Sequence, residues 1–251
     1  MTDEKCELLT YIDDSLEKYY NKTALLKESE NSRVELYTHK NTDSKLIKRV
    51  MPNRNDGVYR ALRRNPCSNT PHIYDVCVQD NSTLIVLEEY IEGDTLYDIL
   101  KTAELSQIEC CKIIIGLCNT LSELHSMGVV HRDIKPSNVI LNRSRTAVWL
   151  IDFSIARLIS AESDNDTEAF GTVGYAPPEQ YGILQSQNTN DLYALGVMFN
   201  IMLTGLHPTV EMPTKTKLRK IVEKATDIQI TKRFQSADEF KKAVTKAMYS
   251  I

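Results

Sequence analysis

The segment Gly128–Ser154 constrains the fold of this chain more than any other. Between an apolar, helix-like segment and two short strand-like runs, one turn holds the polar residues His131, Arg132, Asp133, Lys135 and Asn138. A further acid, Asp152, follows the second run. Because a loop followed by a hairpin returns its far end beside its near end, we expect Asp152 close to this turn. Such a group of side-chain oxygens and one ammonium suits a magnesium-bound polyphosphate.

Each of these residue types has a use in the transfer of a phosphoryl group to a hydroxyl. The transfer needs a carboxylate that orients the hydroxyl and takes up its proton, and cations over the phosphoryl oxygens. Asp133 fits the first need, and Lys135 is a point charge that can reach a terminal phosphate. Asn138 and Asp152 carry the hard oxygen ligands that magnesium prefers. A polar surface turn is the alternative, and it would be the better interpretation of Asp152 and Phe153 taken alone.

The order and spacing of His-Arg-Asp, Lys, Asn and Asp-Phe are similar to the catalytic and metal-binding loops of the protein kinase family, of the bacterial, eukaryote-like Ser/Thr type. The resemblance implies an α+β chain with the two-lobed protein kinase fold, ATP and Mg²⁺ as cofactors, and a protein substrate. We expect one kinase domain over residues 1–251, with an N-terminal helix at 1–22, a β-rich N-lobe at 23–90 and a mainly helical C-lobe at 91–251.

Hydrophobic patterning fits this division. Residues 4–20 space their apolar side chains as in an amphipathic helix, which would pack on the following domain or dock a partner. Three strand-like runs follow within residues 23–50, and two more lie at 71–78 and 83–87. The pattern then becomes helical, which predicts a small β-rich lobe followed by a larger helical one.

By resemblance, the first lobe would hold the phosphates of the nucleotide. Lys48 takes the place of the lysine that contacts the α- and β-phosphates, and Val34 that of the valine that ends the phosphate-covering loop. This loop contains Ser29 and Ser32 but, unlike the family's loop, no glycine. Glycine lets backbone N–H groups approach phosphates closely, so side chains should raise or stiffen the loop here.

The resemblance also identifies residues for the adenine. These are the side chains of Leu46 and Ile140 and the backbone groups of Glu89 and Ile91. Glu88 stands at the gatekeeper position. A charged gatekeeper is acceptable only when its carboxylate is paired, and we consider Lys48 as its partner.

The family orients its phosphate-binding lysine with a glutamate from a helix, and this chain has no glutamate between Lys48 and Glu88. The short helix expected at 56–64 has Asp56 as its only acid. Asp56 could pair with Lys48, or it could be an ordinary charge in the first turn of the helix.

The segment Gly171–Glu179 is similar to the end of a kinase activation segment. The resemblance places Thr172 in contact with Asp133 and Lys135. Lys135 and Thr172 together are typical of Ser/Thr kinases, because tyrosine kinases differ at both places.

The resemblance also implies two structural anchors. Glu179 would pair with Arg233, and Asp191 would hold the backbone of the catalytic loop. A surface salt bridge and a helix cap are the respective alternatives.

The run 162–168 carries four carboxylates. In the family a phosphate on this segment commonly pairs with the arginine before the catalytic aspartate, here Arg132. We hypothesise that Glu168 takes that place without modification, with Thr167 or Ser163 as a secondary phosphosite. A solvated acidic loop is the alternative.

Charge and composition limit the partners. With 30 basic and 34 acidic residues the net charge is −4, which argues against a nucleic-acid backbone or an anionic membrane as the partner. The N-terminus does not resemble a secretory signal, and the longest apolar stretch, Leu192–Leu203, is too short for a bilayer. We therefore expect a cytoplasmic protein with free, buried thiols, and any sensor on a separate regulatory partner chain.

Three functions compete on this evidence. A protein Ser/Thr kinase uses Lys48, Asp133, Asn138 and Asp152 together. A pseudokinase-like nucleotide-binding scaffold would explain the missing glycines and the missing helix glutamate. A small-molecule phosphotransferase would have no need of the segment that ends at Glu179, because that segment shapes a platform for protein substrates.

Overall fold

A computed structural model of the chain describes residues 14, 16–79, 82–159, 172, 174–181 and 187–250. They form two compact units. The first holds the described residues as far as Pro66 together with Pro71–Ile91, and the second holds Cys67–Thr70 and the described residues from Glu92 onward. This is the two-lobed α+β protein kinase fold.

The first unit contains a five-stranded antiparallel sheet in the order β1-β2-β3-β5-β4. Its strands are β1 (Tyr20–Ser29), β2 (Ser32–His39), β3 (Lys45–Pro52), β4 (Ile73–Gln79) and β5 (Thr83–Glu89). A two-residue turn joins β1 to β2, where the hydroxyl oxygens of Ser29 and Ser32 lie 2.7 Å apart. The sheet confirms the five strands expected from alternating hydrophobicity.

The register of the central strands decides which side chains share a face of the sheet. Residues directly opposite each other in an antiparallel pair point to the same face, and successive residues alternate. Val34 lies opposite Arg49, and Ile47 lies opposite Glu88. These four residues define what we call the Val34 face.

The opposite face of the sheet, here called the Leu16 face, carries a separate apolar cluster. Leu16, Leu46, Cys77 and Ile85 form its buried centre. Glu35 and Lys48 lie opposite each other on β2 and β3 and belong to this face. Both charged residues are buried.

The N-terminal helix ends at residue 19, earlier in the chain than the sequence predicted. Residues 14 and 16–19 are helical, but β1 already begins at Tyr20, which pairs with His39. The expected bound at residue 22 is therefore wrong, because pairing with β2 extends the strand toward the N-terminus. Leu16 is only 4% exposed, so the described part of this helix packs on the sheet as the packing interpretation expected.

Helix α1 (Asp56–Arg64) connects β3 to β4 and packs on β4. Its buried side chains, Val58, Tyr59 and Leu62, fall on one face at helical spacing. The carboxylate of Asp56 lies 3.1 Å from Nε of Arg60, one turn along the same helix. This contact fits the interpretation of Asp56 as an ordinary charge in the first turn of its helix.

The second unit is mainly helical. Its described helices are α2 (Leu96–Thr102), α3 (Gln107–Ser126), α4 (Asn188–Thr204), α5 (Thr216–Ala225) and α6 (Ala237–Met248). Short strands accompany them, namely β6 (Asp94–Thr95), β7 (Val129–Val130), β8 (Val139–Leu141), β9 (Val148–Leu150) and β10 (Arg157–Leu158). Within the described ranges, no helix is both long and apolar enough to cross a membrane.

Residues 67–70 belong to the second unit although they follow α1 in the chain. The backbone N–H of Ser68 donates to Glu123 of α3 at 2.6 Å, and that of Leu150 donates to the carbonyl of Asn69 at 3.0 Å. The sequence predicted one boundary between the lobes, after residue 90, but the chain enters the second unit at Cys67–Thr70 before it returns to the first. Hydrophobic periodicity could not reveal this, because the attachment depends on backbone hydrogen bonds.

Helix α4 approaches α5 closely at a glycine. A Cβ atom built on Gly196 would lie 2.4 Å from Cβ of Ala225, well inside contact distance. The packing of the two helices therefore requires the absence of a side chain at this position.

We predict that Gly196→Ala lowers the free energy of unfolding by about 1–3 kcal/mol, because α4 must move away from α5. Urea unfolding followed by circular dichroism measures the change. Asn119→Ala, at an exposed position of α3, is the control and should stay within about 0.5 kcal/mol of the parent. A Gly196→Ala protein as stable as the control would contradict the close packing.

Candidate active site

The carboxylate of Asp191 fixes the backbone of the loop between β7 and β8. It accepts the N–H of His131 at 2.9 Å and that of Arg132 at 2.8 Å, and Nε2 of His125 lies 2.8 Å away. Asp191 is 1% exposed. The expected anchoring by Asp191 is thus seen, whereas the part played by His125 was missed.

The loop turns sharply where Asp191 holds it. Arg132 has a φ of 69°, in the left-handed region that residues other than glycine seldom adopt. Its carbonyl accepts a 2.9 Å hydrogen bond from Nε2 of the buried Gln180. The strained residue is therefore held on both its N–H and its C=O, and Asp133 follows it directly. Gln180 was also missed, because one glutamine in a loop carries no recognisable pattern.

The carboxylate of Asp133 lies at the centre of a hydrogen-bonded group. One oxygen accepts the hydroxyl of Thr172 at 2.6 Å. The other oxygen lies 2.7 Å from Nζ of Lys135 and accepts a 2.9 Å hydrogen bond from Nδ2 of Asn138. Nζ of Lys135 also donates to the Thr172 hydroxyl at 2.7 Å. The contacts expected for Thr172 are therefore present.

Asn138 and Asp152 suit a magnesium ion by the chemistry of their donors. The amide nitrogen of Asn138 donates to the carbonyl and the carboxylate of Asp133, which leaves its oxygen as the end able to accept a cation. Asp152 follows β9 with a φ of 68°. The N–H of Ile151 donates to the carbonyl of Asn138 at 2.9 Å, so the end of β9 is tied to the catalytic loop. Hard oxygen donors of this kind are the ligands that magnesium prefers.

Phe153 packs beside the loop that carries Asp133. Its ring makes an edge-on contact with His131, with 4.9 Å between centroids. Nε2 of His131 also lies 3.1 Å from the carbonyl of Ile151. His131 therefore joins the loop to the segment that carries Asp152.

Glu179 pairs with Arg233, again as expected. The two groups make a double contact, in which Nη1 of Arg233 meets one carboxylate oxygen and Nη2 donates to the other at 3.0 Å. The Arg233 side chain is fully buried and stacks on Tyr193. A buried, bidentate pair differs in kind from the surface salt bridge considered as the alternative.

The guanidinium of Arg132 is largely buried and lies near a second positive charge, that of Arg157. Burial, followed by the nearby positive charge of Arg157, lowers the pKa of Arg132 to about 10, although Asp191 opposes this. Two close arginines favour an anion at this place. Thr167 and Glu168, which the sequence assigned to that role, lie outside the described residues.

In the first unit, the sheet register separates Lys48 and Leu46 from Val34. Lys48 belongs to the Leu16 face beside Glu35, and Leu46 is part of the buried cluster around Leu16. Val34, expected at the nucleotide, is on the opposite face. A shift of one residue along a strand moves a side chain to the other face, so Arg49 and Ile47 share the face of Val34. The roles of Lys48 and Leu46 toward a nucleotide stay predictions.

The gatekeeper Glu88 is paired, but with a different partner than expected. Its carboxylate lies 2.5 Å from Nε of Arg49, and both residues are on the Val34 face. The signal that could have identified Arg49 as the partner of Glu88 was its position in the alternating pattern of β3, and not its residue type.

The remaining expected nucleotide contacts lie at the ends of strands. Ser29 and Ser32 close the β1–β2 turn through their hydroxyls. The N–H of Glu89 donates to the carbonyl of His72 at 2.9 Å, and Ile91 is buried just beyond β5. In the second unit, Ile140 lies on β8 opposite Trp149. Their roles toward a nucleotide stay predictions.

The comparison with known families agrees with this geometry. A sequence model of the family described as protein kinase domain matches residues 21–251. The chain therefore belongs to the protein kinase family.

Its relatives include Ser/Thr kinases of bacteria. Serine/threonine-protein kinase D of Synechocystis sp. (strain ATCC 27184 / PCC 6803 / Kazusa) is 30% identical over 233 residues, which cover 84% of this chain and 44% of that protein. The probable serine/threonine-protein kinase PknB of Bifidobacterium longum is 38% identical over 127 residues, covering 49% of this chain and 18% of that protein. The chain thus spans less than half the length of these relatives.

The pKa of Asp191 provides a test of the anchor. Burial alone would raise this pKa, but the hydrogen bond and charge of His125, and then those of His131, hold it below its ordinary value. A carboxylate of this kind contributes stability that is complete above the unfolded-state pKa of about 3.9 and is lost as the pH falls through the folded-state pKa.

We predict that Asp191→Asn lowers the free energy of unfolding by about 3 kcal/mol at pH 7, because His125 and two backbone N–H groups lose an ionised partner. The difference from the parent should shrink as the pH falls below about 4, because the carboxylate of the unfolded parent then binds a proton while the folded one stays ionised down to its lower pKa. Urea unfolding at a series of pH values measures this. The exposed Asp238→Asn is the control, and a difference that stays constant down to pH 3 would contradict the assignment.

Proposed function

We propose that this chain transfers the γ-phosphoryl group of ATP to Ser or Thr hydroxyls of a protein substrate. The observation that carries the proposal is the carboxylate of Asp133, which is held by Thr172, Lys135 and Asn138 at 2.6–2.9 Å. A carboxylate fixed in this way can orient an incoming hydroxyl with little reorganisation.

The residues have distinct parts in this reaction. Asp133 accepts the proton of the substrate hydroxyl as its oxygen attacks the phosphorus and the bond to ADP breaks. Lys135, within reach of Asp133 and Thr172, offers a positive charge to the transferring phosphoryl group. Asn138 and Asp152 would hold magnesium, which when bound neutralises phosphate charge.

Contacts at Thr172 support a hydroxyl of Ser or Thr as the acceptor. Thr172 and Lys135 share a 2.7 Å hydrogen bond, and both contact Asp133. The relatives' names, which describe Ser/Thr kinases, support the same acceptor class.

A nucleotide-binding scaffold is the second candidate and is less well supported. Binding alone does not require Asp133, or the paired hydrogen bonds that fix Arg132 before it. The segment that ends at Glu179 is anchored by a buried bidentate pair, which favours a platform for a protein over a small-molecule acceptor.

We further propose that the chain works in the cytoplasm and answers to a separate regulatory chain. Five described cysteines are free, and burial raises the pKa of four of them, Cys67, Cys110, Cys111 and Cys118, to about 11 or 12. Unreactive free thiols are typical of a reducing compartment.

We predict that Asp133→Asn abolishes transfer, by at least about 1,000-fold, and leaves ATP affinity nearly unchanged, because Asp133 faces the hydroxyl. Asp152→Asn should also lose magnesium-dependent ATP binding. Transfer from γ-labelled ATP and calorimetric ATP titration measure the two effects, with Asp238→Asn as the control. Two variants that transfer phosphate like the control would contradict the assigned site.

The hypothesis for Glu168 has its own test. If Glu168 supplies the anion for Arg132, protein prepared free of phosphate should be active from the first turnover. Glu168→Ala should slow transfer, and the matched Glu162→Ala should not. A lag that disappears after autophosphorylation of Thr167 would contradict the hypothesis and indicate a phosphate-switched kinase.

A further inference from the structure

The first unit contains a buried ion pair that the family's pattern does not include. Nε of Arg49 on β3 lies 2.5 Å from a carboxylate oxygen of Glu88 on β5. The two side chains are 10% and 2% exposed. Removing two charges from water costs several kcal/mol per ion, so such a pair persists only where its geometry is good.

The sheet positions this pair beside the residue expected at the nucleotide. Arg49 lies directly opposite Val34 on β2 and shares its face, and Glu88 joins that face through its pairing with Ile47. Lys48 has its side chain on the Leu16 face, where its charge acts on Glu35. The cation on the Val34 face of β3 is therefore an arginine.

Helix α1 offers no carboxylate for this cation. Its single acid, Asp56, is 40% exposed and pairs with Arg60 of the same helix. Glu88 stands on β5, the strand directly hydrogen-bonded to β3. The acid that orients the cation thus comes from the sheet.

We propose that Arg49 is the residue that contacts the phosphates of ATP in this chain, and that Glu88 is the residue that positions it. This inference rests on the proposed kinase function. In this inference, one ion pair on two neighbouring strands takes the roles that the family resemblance gave to Lys48 and to a glutamate from a helix.

The chemistry of arginine suits both contacts. A guanidinium has five N–H donors in a planar fork, and Nε is the one that meets Glu88. A fork of this shape binds phosphate oxygens in a bidentate manner and stays charged at every physiological pH. All of β5 pairs with β3, from Thr83 opposite Pro52 to Glu89 opposite Leu46, so the strands that carry Arg49 and Glu88 are fixed to each other by backbone hydrogen bonds.

The test measures the affinity for Mg·ATP by calorimetry and needs no phosphoryl transfer. Arg49→Met should lower the affinity by about 10- to 100-fold, the effect of losing charge-assisted hydrogen bonds. Lys48→Met, the rival assignment, should change it by less than about threefold. Lys40→Met, at an exposed turn between β2 and β3, is the control.

A double-mutant cycle tests the positioning role of Glu88. Glu88→Gln should weaken Mg·ATP binding in the parent but not in the Arg49→Met protein, because it acts through Arg49. The same cycle read from unfolding midpoints separates this from a purely structural pair. If the pair were merely structural, the two substitutions would be non-additive in the unfolding midpoints, and neither would change the affinity for ATP.

The outcomes are distinguishable. Parent-like ATP affinity in a folded Arg49→Met protein, or a large loss in Lys48→Met, would overturn the inference. If Arg49→Met does not fold, the double variant Arg49→Met/Glu88→Met, which removes both buried charges, is used instead. Its affinity for Mg·ATP is then compared with that of the parent, with the same expected loss. A parent that binds ATP but transfers no phosphate would overturn only the kinase proposal, whereas a parent that binds no ATP would overturn both.

Discussion

The arrangement of the catalytic loop depends on one buried carboxylate, that of Asp191. It is held by His125 and in turn accepts two successive N–H groups, which forces Arg132 into a left-handed conformation and directs Asp133 toward Thr172. An ionised group at 1% exposure is stable only with several charge-assisted partners. The anchor therefore links the apolar helix α4 to the chemistry of the loop.

A second constraint acts within the sheet of the first unit. Side chains alternate strictly along β3, so the identity of the residue on each face follows from register alone. Arg49, Ile47 and Glu88 consequently share the face of Val34, while Lys48 shares the face of Glu35. An ion pair within one sheet is a rigid way to orient a cation, because both strands are fixed by their ladder of hydrogen bonds.

Sequence reasoning identified the fold and predicted the contacts among Asp133, Lys135 and Thr172 that the structure shows, because these residues lie in segments with a recognisable order and spacing. It did not predict the pairing of Glu88 with Arg49, because residue type was given more weight than a register that depends on β2 and β5. It also missed Gln180 and His125. Their contacts are long-range and involve backbone groups, which leave no periodic signal in a sequence.

The central claim is tested most directly by the identity of the phosphorylated product. The purified chain is incubated with γ-labelled ATP, magnesium and a generic protein substrate, and the label is assigned by phosphoamino acid analysis. We expect label on serine and threonine of the substrate at a level far above that of a reaction without enzyme. Nucleotide binding with no label on any hydroxyl amino acid would contradict the account and indicate a regulatory scaffold.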